Sequence, residues 1–355
     1  MAFPFSIKSK GDSMRRVYSS CLIAFSLFTG LSLMNLPALA ETTIAVPDTA
    51  VKPVSAPATS ASRPKVGLAL GGGGTRGAAH VEVLKVLEKE GIPIDFIAGT
   101  SMGSVVGGLY AAGVPLDELE KEFQNGSLMH SFMTVPLWIR VVAAPIMVTP
   151  RLFGSKAYDG LYKGNKFRKF LTKGVAPAEQ NIEDLKIPYA AVAISLIDGK
   201  THLLNKGNLG YAMQASCAVP GLRKPVQIGD DLFCDGGVVS NVPVDECRKM
   251  GADIVIAVCV DERFNAEPLA HFRKIGSVSD RLIKLQLHDN AQPRTARADL
   301  VIHPNVDGVS LISTKKDDAK KALKAGREAA LAALPEIRKK LAEAGLQVAG
   351  TITTP

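Results

Sequence analysis

Short apolar runs alternate with amphipathic stretches along the chain from residue 65 onward. The runs that have the length and composition of strands cover residues 66–70, 94–98, 189–197, 232–235, 254–260 and 300–302. Helical spacing of apolar positions predicts helices over residues 78–90, 208–216, 244–250 and 314–344, with another beginning at about Ser101. We expect residues 202–204 to pair with the strand at 189–197, and the last helix to break near Pro335. This alternation predicts an α/β fold with helices on both faces of a mostly parallel sheet.

One sharp turn is predicted between the strand at 94–98 and the helix after it. Residues 99–103 read GTSMG, the G-x-S-x-G pattern of a nucleophile elbow. A serine on such a turn crowds the residues two positions away, where Gly99 and Gly103 lack the Cβ that would clash. The helix directs its free amides and the positive end of its dipole toward the same place. We therefore predict that Ser101 is a nucleophile.

A glycine-rich loop follows the first strand and has two interpretations. Residues 71–77 read GGGGTRG, which contains the G-x-G-x-x-G pattern of a dinucleotide-binding loop, and Glu90 or Asp95 lies at a tolerable distance for the ribose. Placed beside Ser101, the same successive N–H groups form an oxyanion hole, with Arg76 adding positive charge or bracing the loop. Neighbouring parallel strands end at one edge of the sheet, so the two turns converge there. A nicotinamide enzyme has no use for the exposed serine, which favours the oxyanion hole.

A serine nucleophile needs a base, and the chain offers histidines and one well-placed aspartate. His80 lies in the first helix and is either a packed helix residue or a neighbour of the site. His288 and His303 come late enough for a Ser-Asp-His order, but neither lies in a glycine-framed loop. Asp235 ends a short strand and precedes two glycines that permit close backbone approach. The alternative for Asp235 is a turn-forming Asp-Gly-Gly.

Four motifs in this order resemble the patatin-like phospholipase family: GGGGTRG (71–77), GTSMG (99–103), ASCAVPG (215–221) and DGG (235–237). The resemblance covers roughly residues 65–305. It is strongest to the bacterial branch related to neuropathy target esterase, in VGLALGGGG and GIPIDFIAGTSMGSVVGGLYAAG. It implies a three-layer α/β/α patatin-like fold and acyl-ester hydrolysis by a Ser–Asp dyad without a catalytic histidine.

The resemblance also implies a role for each motif residue. Ser101 is the nucleophile and Asp235 the base, while the loop at Gly72, Gly73, Gly74 and Arg76 supplies the oxyanion hole. The remaining motif glycines are Gly77, Gly99, Gly103, Gly236 and Gly237. The implied substrate is a lipid or lysophospholipid, and the implied reaction uses no metal and no cofactor. Two alternatives remain open: a thioesterase or short-chain esterase with the same dyad, and a non-catalytic lipid-binding or scaffold protein.

The amino-terminal region has the features of an export signal. A charged segment at residues 14–16 precedes an apolar run at 21–36 and an A-x-A site ending at Ala40. We expect residues 1–40 to be a signal peptide and the protein to be periplasmic or secreted; the alternative is an N-terminal membrane anchor. Residues 41–64, rich in Pro, Ala, Ser and Thr, are predicted to be a linker. The hydrolase domain is predicted over 65–305, followed by a helical extension packed on it over 306–355.

Charge and the remaining residues narrow the possible partners. Removal of residues 1–40, which carry four basic residues and one acidic residue, lowers the formal net charge from +8 to +5. This mild excess suits transient contact with an anionic membrane surface. We expect no nucleic-acid partner, because no dense basic run is interleaved with aromatic residues.

The apolar segment 128–153, which contains the only tryptophan, is predicted to be a lid, an acyl-chain pocket, an interfacial patch or a buried helical cap. A Cys217–Cys234 disulfide is conceivable, but buried free thiols are expected.

Overall fold

The computed structural model describes residues 63–135, 139, 158, 160–273 and 277–348. The predicted signal peptide, nearly all of the predicted linker and most of the apolar segment 128–153 lie outside the described residues. Within the described chain, the helices and strands in order are β1 (Val66–Leu70), α1 (Ala78–Lys89), β2 (Phe96–Thr100), α2 (Met102–Ala111), α3 (Leu116–Gln124), α4 (Ser127–Phe132), α5 (Asn165–Leu171), β3 (Tyr189–Ser195), β4 (Thr201–Leu204), α6 (Leu209–Ser216), β5 (Val226–Ile228), β6 (Asp231–Asp235), α7 (Val244–Lys249), β7 (Ile254–Val258), α8 (Ser277–Thr295), β8 (Leu300–Ile302) and α9 (Lys316–Glu343).

The strands of the described chain form one mixed, mostly parallel sheet. Its order is β5-β6-β3-β2-β1-β7-β8, and β4 pairs with β3 off this path. Neighbours from β3 to β8 in this order run parallel, whereas β4, β5 and β6 form antiparallel ladders. The central strands are fully buried on both faces, as expected for parallel strands covered by helices.

The two faces of strand β1 pack in two different apolar cores. On one face, Val66, Leu68 and Leu70 of β1 pack in a large core with side chains of α1, α2 and α9. On the other face, Ala69 packs with residues of β7 and with the smaller set Val244, Cys247 and Ala291 from α7 and α8. Alternate residues of a strand point to opposite faces, so this division follows directly from the strand geometry. The predicted three-layer α/β/α fold is therefore confirmed.

Two differences from the predicted elements bear on the site and on the last helix. The strand that leads to Ser101 is Phe96–Thr100, two residues later than predicted, so it runs directly into the elbow. The predicted break near Pro335 is wrong, because α9 continues from Lys316 to Glu343 with Pro335 inside it. Pro335 faces solvent, while Leu334 and Ile337 on either side are buried in the large core. Packing of the whole helix against α1 outweighs the backbone hydrogen bond that the proline removes.

The cysteines of the described chain do not form the disulfide that we considered conceivable. Cys217, Cys234, Cys247 and Cys259 are free and buried, as expected for small apolar side chains in a core. Residues 202–204 fall within β4, which pairs with β3 as predicted. Among the described residues, no helix is both long enough and apolar enough to cross a membrane.

Candidate active site

The elbow at Ser101 has the strained geometry that its sequence predicts. Ser101 adopts φ 50° and ψ −121°, and within the described chain it is the only non-glycine residue with positive φ. A Cβ on Gly99 would lie 2.5 Å from the Cα of Ser104, and one on Gly103 would lie 2.3 Å from the Leu70 carbonyl oxygen. Both positions therefore require glycine, as predicted. Strain of this kind, about 1–3 kcal/mol, persists only when neighbouring contacts hold the residue in place.

Hydrogen bonds from three directions hold the elbow. The Ser101 N–H donates to Ser216 Oγ at 2.9 Å, and Ser104 Oγ donates to the Ser101 carbonyl at 2.6 Å. Thr100 Oγ1 donates to the Ser240 carbonyl at 2.9 Å, which ties the elbow to the segment that follows Asp235. The Ser101 hydroxyl is therefore presented by a backbone that is fixed on both sides.

The structure brings Asp235 to the Ser101 side chain. Asp235 is the last residue of β6, where it pairs with Ala193 of β3, and its carboxylate is 5% exposed. It accepts a hydrogen bond from the Gly237 N–H at 2.8 Å, and the Ser101 hydroxyl lies close enough to the carboxylate to lower the pKa of Asp235. Burial raises the pKa of Asp235 from 3.8 to about 6, although the Gly237 N–H, Ser101 and the charge of Arg223 oppose the rise. A carboxyl group with this pKa is ionised above pH 6 and is a better base than an exposed aspartate.

A buried thiol lies beside this pair. The Cys217 side chain lies close to the hydroxyl groups of Ser101 and Ser104. Burial, reinforced by the Asp235 charge, raises the pKa of Cys217 to about 12, so it stays a neutral thiol. It therefore packs beside Ser101 as a neutral group.

The glycine loop presents two amides rather than three. The Gly72 N–H already donates to the Asn241 carbonyl at 3.1 Å, so the prediction that Gly72 is an oxyanion-hole donor is wrong for this geometry. Gly73 and Gly74 have N–H groups with no acceptor in the described part of the chain, and both residues line the cavity next to Ser101. Gly74 has φ 55°, and a Cβ there would lie 2.0 Å from the Leu311 carbonyl oxygen. Only glycine fits this position.

Arg76 braces the loop and does not reach the cavity. Its side chain is 1% exposed; Nε donates to the Val309 carbonyl at 2.7 Å, and Nη2 pairs with Glu262 at 2.7 Å. Of the two roles that we considered for Arg76, bracing is the one that the structure supports. Thr75 is bound in the same way, because its N–H donates to the Leu311 carbonyl and its hydroxyl to the Ser313 carbonyl. The segment after β8 is therefore part of the site, while the predicted domain boundary at 305 stays a prediction.

The histidines considered as bases are not placed to act on Ser101. His80 Nε2 lies 2.8 Å from the Gly71 carbonyl, and burial lowers the pKa of His80 to about 4, so the neutral ring donates to that carbonyl and supports the loop. His303 Nε2 is bound to the Asp261 carbonyl, and His288 packs beside Phe264. None of these three histidines lines the cavity at Ser101.

The acidic residues considered for a dinucleotide are also occupied elsewhere. Asp95 accepts hydrogen bonds from Arg63 and from the N–H of Val66, at the opposite end of β1 from the glycine loop. Glu90 pairs with Arg338 of α9. The loop therefore lacks the acidic partner for a ribose that we considered in the sequence.

A cavity of about 490 Å³ opens above Ser101 and Asp235. Its walls are mostly apolar, and neither lysine nor arginine is among the described residues that line it. The described residues that line the cavity are Gly72, Gly73, Gly74, Ser101, Met102, Phe132, Val219, Pro220, Leu222, Asp235, Gly237, Val238, Asn241, Ile283, Gln286, Leu287, Ser310, Leu311 and Ile312. Phe132 is the buried last residue of α4, so the described start of the apolar segment 128–153 contributes to a wall. In the described residues, no group of three or more His, Cys, Asp or Glu side chains is arranged to hold a metal ion.

Asn241 is a site residue that the sequence analysis missed. It is 1% exposed. Its Nδ2 donates to Asp261 Oδ1 at 2.9 Å, and its backbone carbonyl accepts a hydrogen bond from the Gly72 N–H. It follows Asp235 by six residues on the same loop. A buried polar residue so close to the predicted base was a usable signal.

The fold and geometry define a class: an α/β protein with a serine at a strained elbow, beside a buried aspartate, where both line an apolar cavity. The family model for patatin-like phospholipases matches residues 68–248, slightly more than half of the 355 residues. The chain belongs to the patatin-like phospholipase family. The predicted family is therefore confirmed.

The chain is also similar to individual known proteins. The chain is 36% identical over 200 residues to an uncharacterized NTE family protein of Mycobacterium tuberculosis, a match that covers 56% of this chain and 50% of that protein. It is 32% identical over 207 residues to lysophospholipase NTE1 of Yarrowia lipolytica, covering 58% of this chain and 13% of that protein. The crystal structure of VipD from Legionella pneumophila matches with a TM-score of 0.43 and 14% identity, covering 78% of this chain and 68% of that one. The chain thus spans half or less of the length of these two sequence relatives.

Proposed function

We propose that the protein is a serine acyl hydrolase that cleaves lipid acyl esters with Ser101 as nucleophile and Asp235 as base. The observation that carries this proposal is the position of the Ser101 hydroxyl beside the buried Asp235 carboxylate, with both residues lining one apolar cavity. The two unpaired amides of Gly73 and Gly74 beside Ser101 support it further, because a developing oxyanion needs such donors.

The first half of the reaction forms an acyl-enzyme. Ser101 Oγ attacks the ester carbonyl carbon as Asp235 accepts the hydroxyl proton, and the N–H groups of Gly73 and Gly74 stabilise the oxyanion. The bond to the leaving alcohol then breaks, and Asp235 returns the proton to the alcohol oxygen. The raised pKa of Asp235 favours both proton transfers, since a carboxyl group with a pKa near 6 can accept and release a proton at neutral pH.

The second half releases the acyl group to water. Water attacks the acyl carbon while Asp235 accepts one of its protons. The bond between Ser101 Oγ and the acyl carbon then breaks, the fatty acid leaves, and Oγ takes the proton back from Asp235. The serine and the carboxylate end in their starting states.

The cavity supports a substrate with an acyl chain. Its apolar walls match a hydrocarbon chain, and its volume falls within the usual range of about 300–1,000 Å³ for small-molecule sites. The lysophospholipase name of the Yarrowia lipolytica relative makes a lysophospholipid the first substrate to test.

One panel of assays tests the proposal. Fatty-acid release from phospholipid, lysophospholipid, acyl-thioester and short-chain ester is measured for the full chain with a chelator present. Ser101→Ala and Asp235→Asn are expected to lose activity while folded, whereas Ser310→Ala removes another serine of the cavity wall and is expected to retain it. Activity on the thioester or short ester alone would assign the thioesterase or esterase alternative. No turnover on any substrate would contradict the proposal and favour a lipid-binding role.

We propose that the cavity opening contacts the membrane surface. Ile283 of α8 and Ile312 line the cavity, yet they are 49% and 39% exposed. Leu282, next to Ile283 on α8, is 59% exposed. Exposed apolar side chains beside an apolar cavity suit a path by which a lipid leaves the bilayer.

We also propose that the protein is exported after cleavage at Ala40. The support is the charged segment, apolar run and A-x-A site of residues 14–40. Amino-terminal sequencing of the protein made in a bacterial host should give Glu41 as the first residue. An uncut chain in the membrane fraction would instead assign the membrane-anchor alternative.

A further inference from the structure

The side chain of Asn241 has one polar atom that its surroundings leave unpaired. Asn241 lines the cavity and is 1% exposed, and its Oδ1 has no hydrogen-bond partner among the described residues. An unpaired buried acceptor is unfavourable, and such groups are usually satisfied by protein or water. This oxygen is therefore placed to bind something that enters the cavity and carries a hydrogen to donate.

Asn241 Oδ1 lies near both Ser101 and Asp235. The point that a Cβ of Gly72 would occupy lies 2.7 Å from Asn241 Oδ1 and 3.1 Å from Ser101 Cβ. The corresponding point at Gly237 lies 3.1 Å from Asn241 Oδ1 and 3.1 Å from Asp235 Oδ1. Asn241 Oδ1 thus borders the same small spaces as the nucleophile and the base, and these spaces are open because both neighbours are glycine.

Contacts on the far side fix which end of the amide faces the cavity. Nδ2 lies 2.9 Å and 3.2 Å from the two carboxylate oxygens of Asp261, and 3.4 Å from the Gly72 carbonyl oxygen. A carboxylate and a carbonyl accept hydrogen bonds only from the nitrogen end, so the oxygen end must point away from them. Asp261 is itself buried and is held by the Cys259 thiol at 3.6 Å. The orientation of Asn241 therefore does not depend on a ligand.

We propose that Asn241 is a positioning residue that holds the water which hydrolyses the acyl-enzyme; this rests on the proposed function. The water donates one hydrogen to Asn241 Oδ1 and the other to the ionised Asp235, which directs an oxygen lone pair at the acyl carbon. On attack, the proton bound toward Asp235 is transferred to it, the carbon–Oγ bond breaks, and Ser101 recovers the proton. Formation of the acyl-enzyme uses no water, so the role of Asn241 is confined to deacylation.

The experiment separates the two halves of the reaction. Rapid-mixing hydrolysis of a p-nitrophenyl acyl ester gives the acylation rate as a burst, and intact-protein mass spectrometry gives the fraction of acyl-enzyme. Asn241→Ala is expected to slow deacylation at least about tenfold, keep acylation within about threefold, and accumulate acyl-enzyme. Ser240→Ala is the control: it deletes the neighbouring buried hydroxyl, which is bonded to Glu246 outside the cavity, and should not change the ratio of the two rates.

Asp261→Asn keeps the size of the side chain that orients Asn241. It provides a second test of the proposal if Asn241→Ala does not fold. It should shift the ratio of the two rates in the same direction by a smaller factor, because an amide holds Asn241 less strictly than a carboxylate does. An equal fall of both rates in Asn241→Ala, with no acyl-enzyme, would overturn the proposal. The proposal would also be overturned if every folded variant at positions 241 and 261 deacylated at the wild-type rate. A wild-type protein that shows neither a burst nor turnover would refute the proposed function itself. This result is distinct from those that overturn only the role of Asn241.

Discussion

Replacement of Asp235 by asparagine should abolish hydrolysis and at the same time stabilise the folded protein. Burial raises the pKa of Asp235 from 3.8 to about 6, so the native state holds its charge unfavourably at neutral pH. A rise of roughly 2 units corresponds to about 3 kcal/mol of unfolding free energy. Asparagine has nearly the same shape and no charge. We therefore expect Asp235→Asn to be about 2–3 kcal/mol more stable at pH 8, with part of the gain offset by the altered hydrogen bonds.

The pH dependence of this gain follows from the direction of the shift. Because the folded pKa lies above the unfolded one, Asp235 is neutral in both states below about pH 3.8, and the substitution then brings no electrostatic gain. The gain develops as pH rises from about 4 to 6 and is constant above that range. Urea unfolding followed by circular dichroism at pH 4, 6 and 8 measures it. Asp230→Asn, at an exposed turn, is the control and should change stability by less than about 0.5 kcal/mol. Equal or lower stability of Asp235→Asn at pH 8 would refute the reasoning.

Four further outcomes are expected. The kcat/KM for a soluble ester should rise with pH around a midpoint near 6 as Asp235 ionises, and a profile that is flat from pH 4.5 to 8 would argue against this base. Gly103→Ala should lose at least about 2 kcal/mol of stability, measured by denaturant unfolding, because its Cβ would meet the Leu70 carbonyl at 2.3 Å; wild-type stability would contradict the elbow geometry. Arg76→Lys should lower kcat about tenfold without changing the secondary structure seen by circular dichroism, since lysine cannot make both bonds of the guanidinium; an unchanged kcat would show that the brace is dispensable. Leu282→Asp should weaken sedimentation with anionic phospholipid vesicles but spare soluble-ester hydrolysis. Leu331→Asp on α9, where the side chain is also exposed, should leave vesicle binding unchanged; equal vesicle binding by both variants would place the membrane surface elsewhere.

The elbow at Ser101 and the position of Asp235 at a strand end were predictable because their requirements are local. A serine between two glycines two residues away specifies a tight turn, and the observed approach of Leu70 and Ser104 to the glycine positions explains why no other residue fits. The alternation of strands and helices likewise determines which strand ends meet. Asp235 was found because it stands at a strand end before Gly236 and Gly237, which keep the backbone close to it.

What the sequence did not reveal depends on contacts between distant segments. The Gly72 amide is occupied by Asn241, and Arg76 is turned away from the cavity by Val309, a residue more than 200 positions later. Helix α8, which forms one wall of the cavity, was not predicted; it has few buried residues and contains Pro293. The continuity of α9 through its proline depends on packing against α1. None of these features has a local signature, since each is decided by the partner that the fold supplies.

The central claim is that Ser101, activated by Asp235, takes up the acyl group. Its most direct measurement is labelling of the full chain with a fluorophosphonate, which forms a stable adduct only with an activated serine, followed by mass spectrometry of the peptides. We expect one equivalent of label on the peptide that contains Ser101, strongly slowed labelling in Asp235→Asn, and unchanged labelling in Ser310→Ala. No adduct, or an adduct on another serine at a rate insensitive to Asp235, would contradict the assignment.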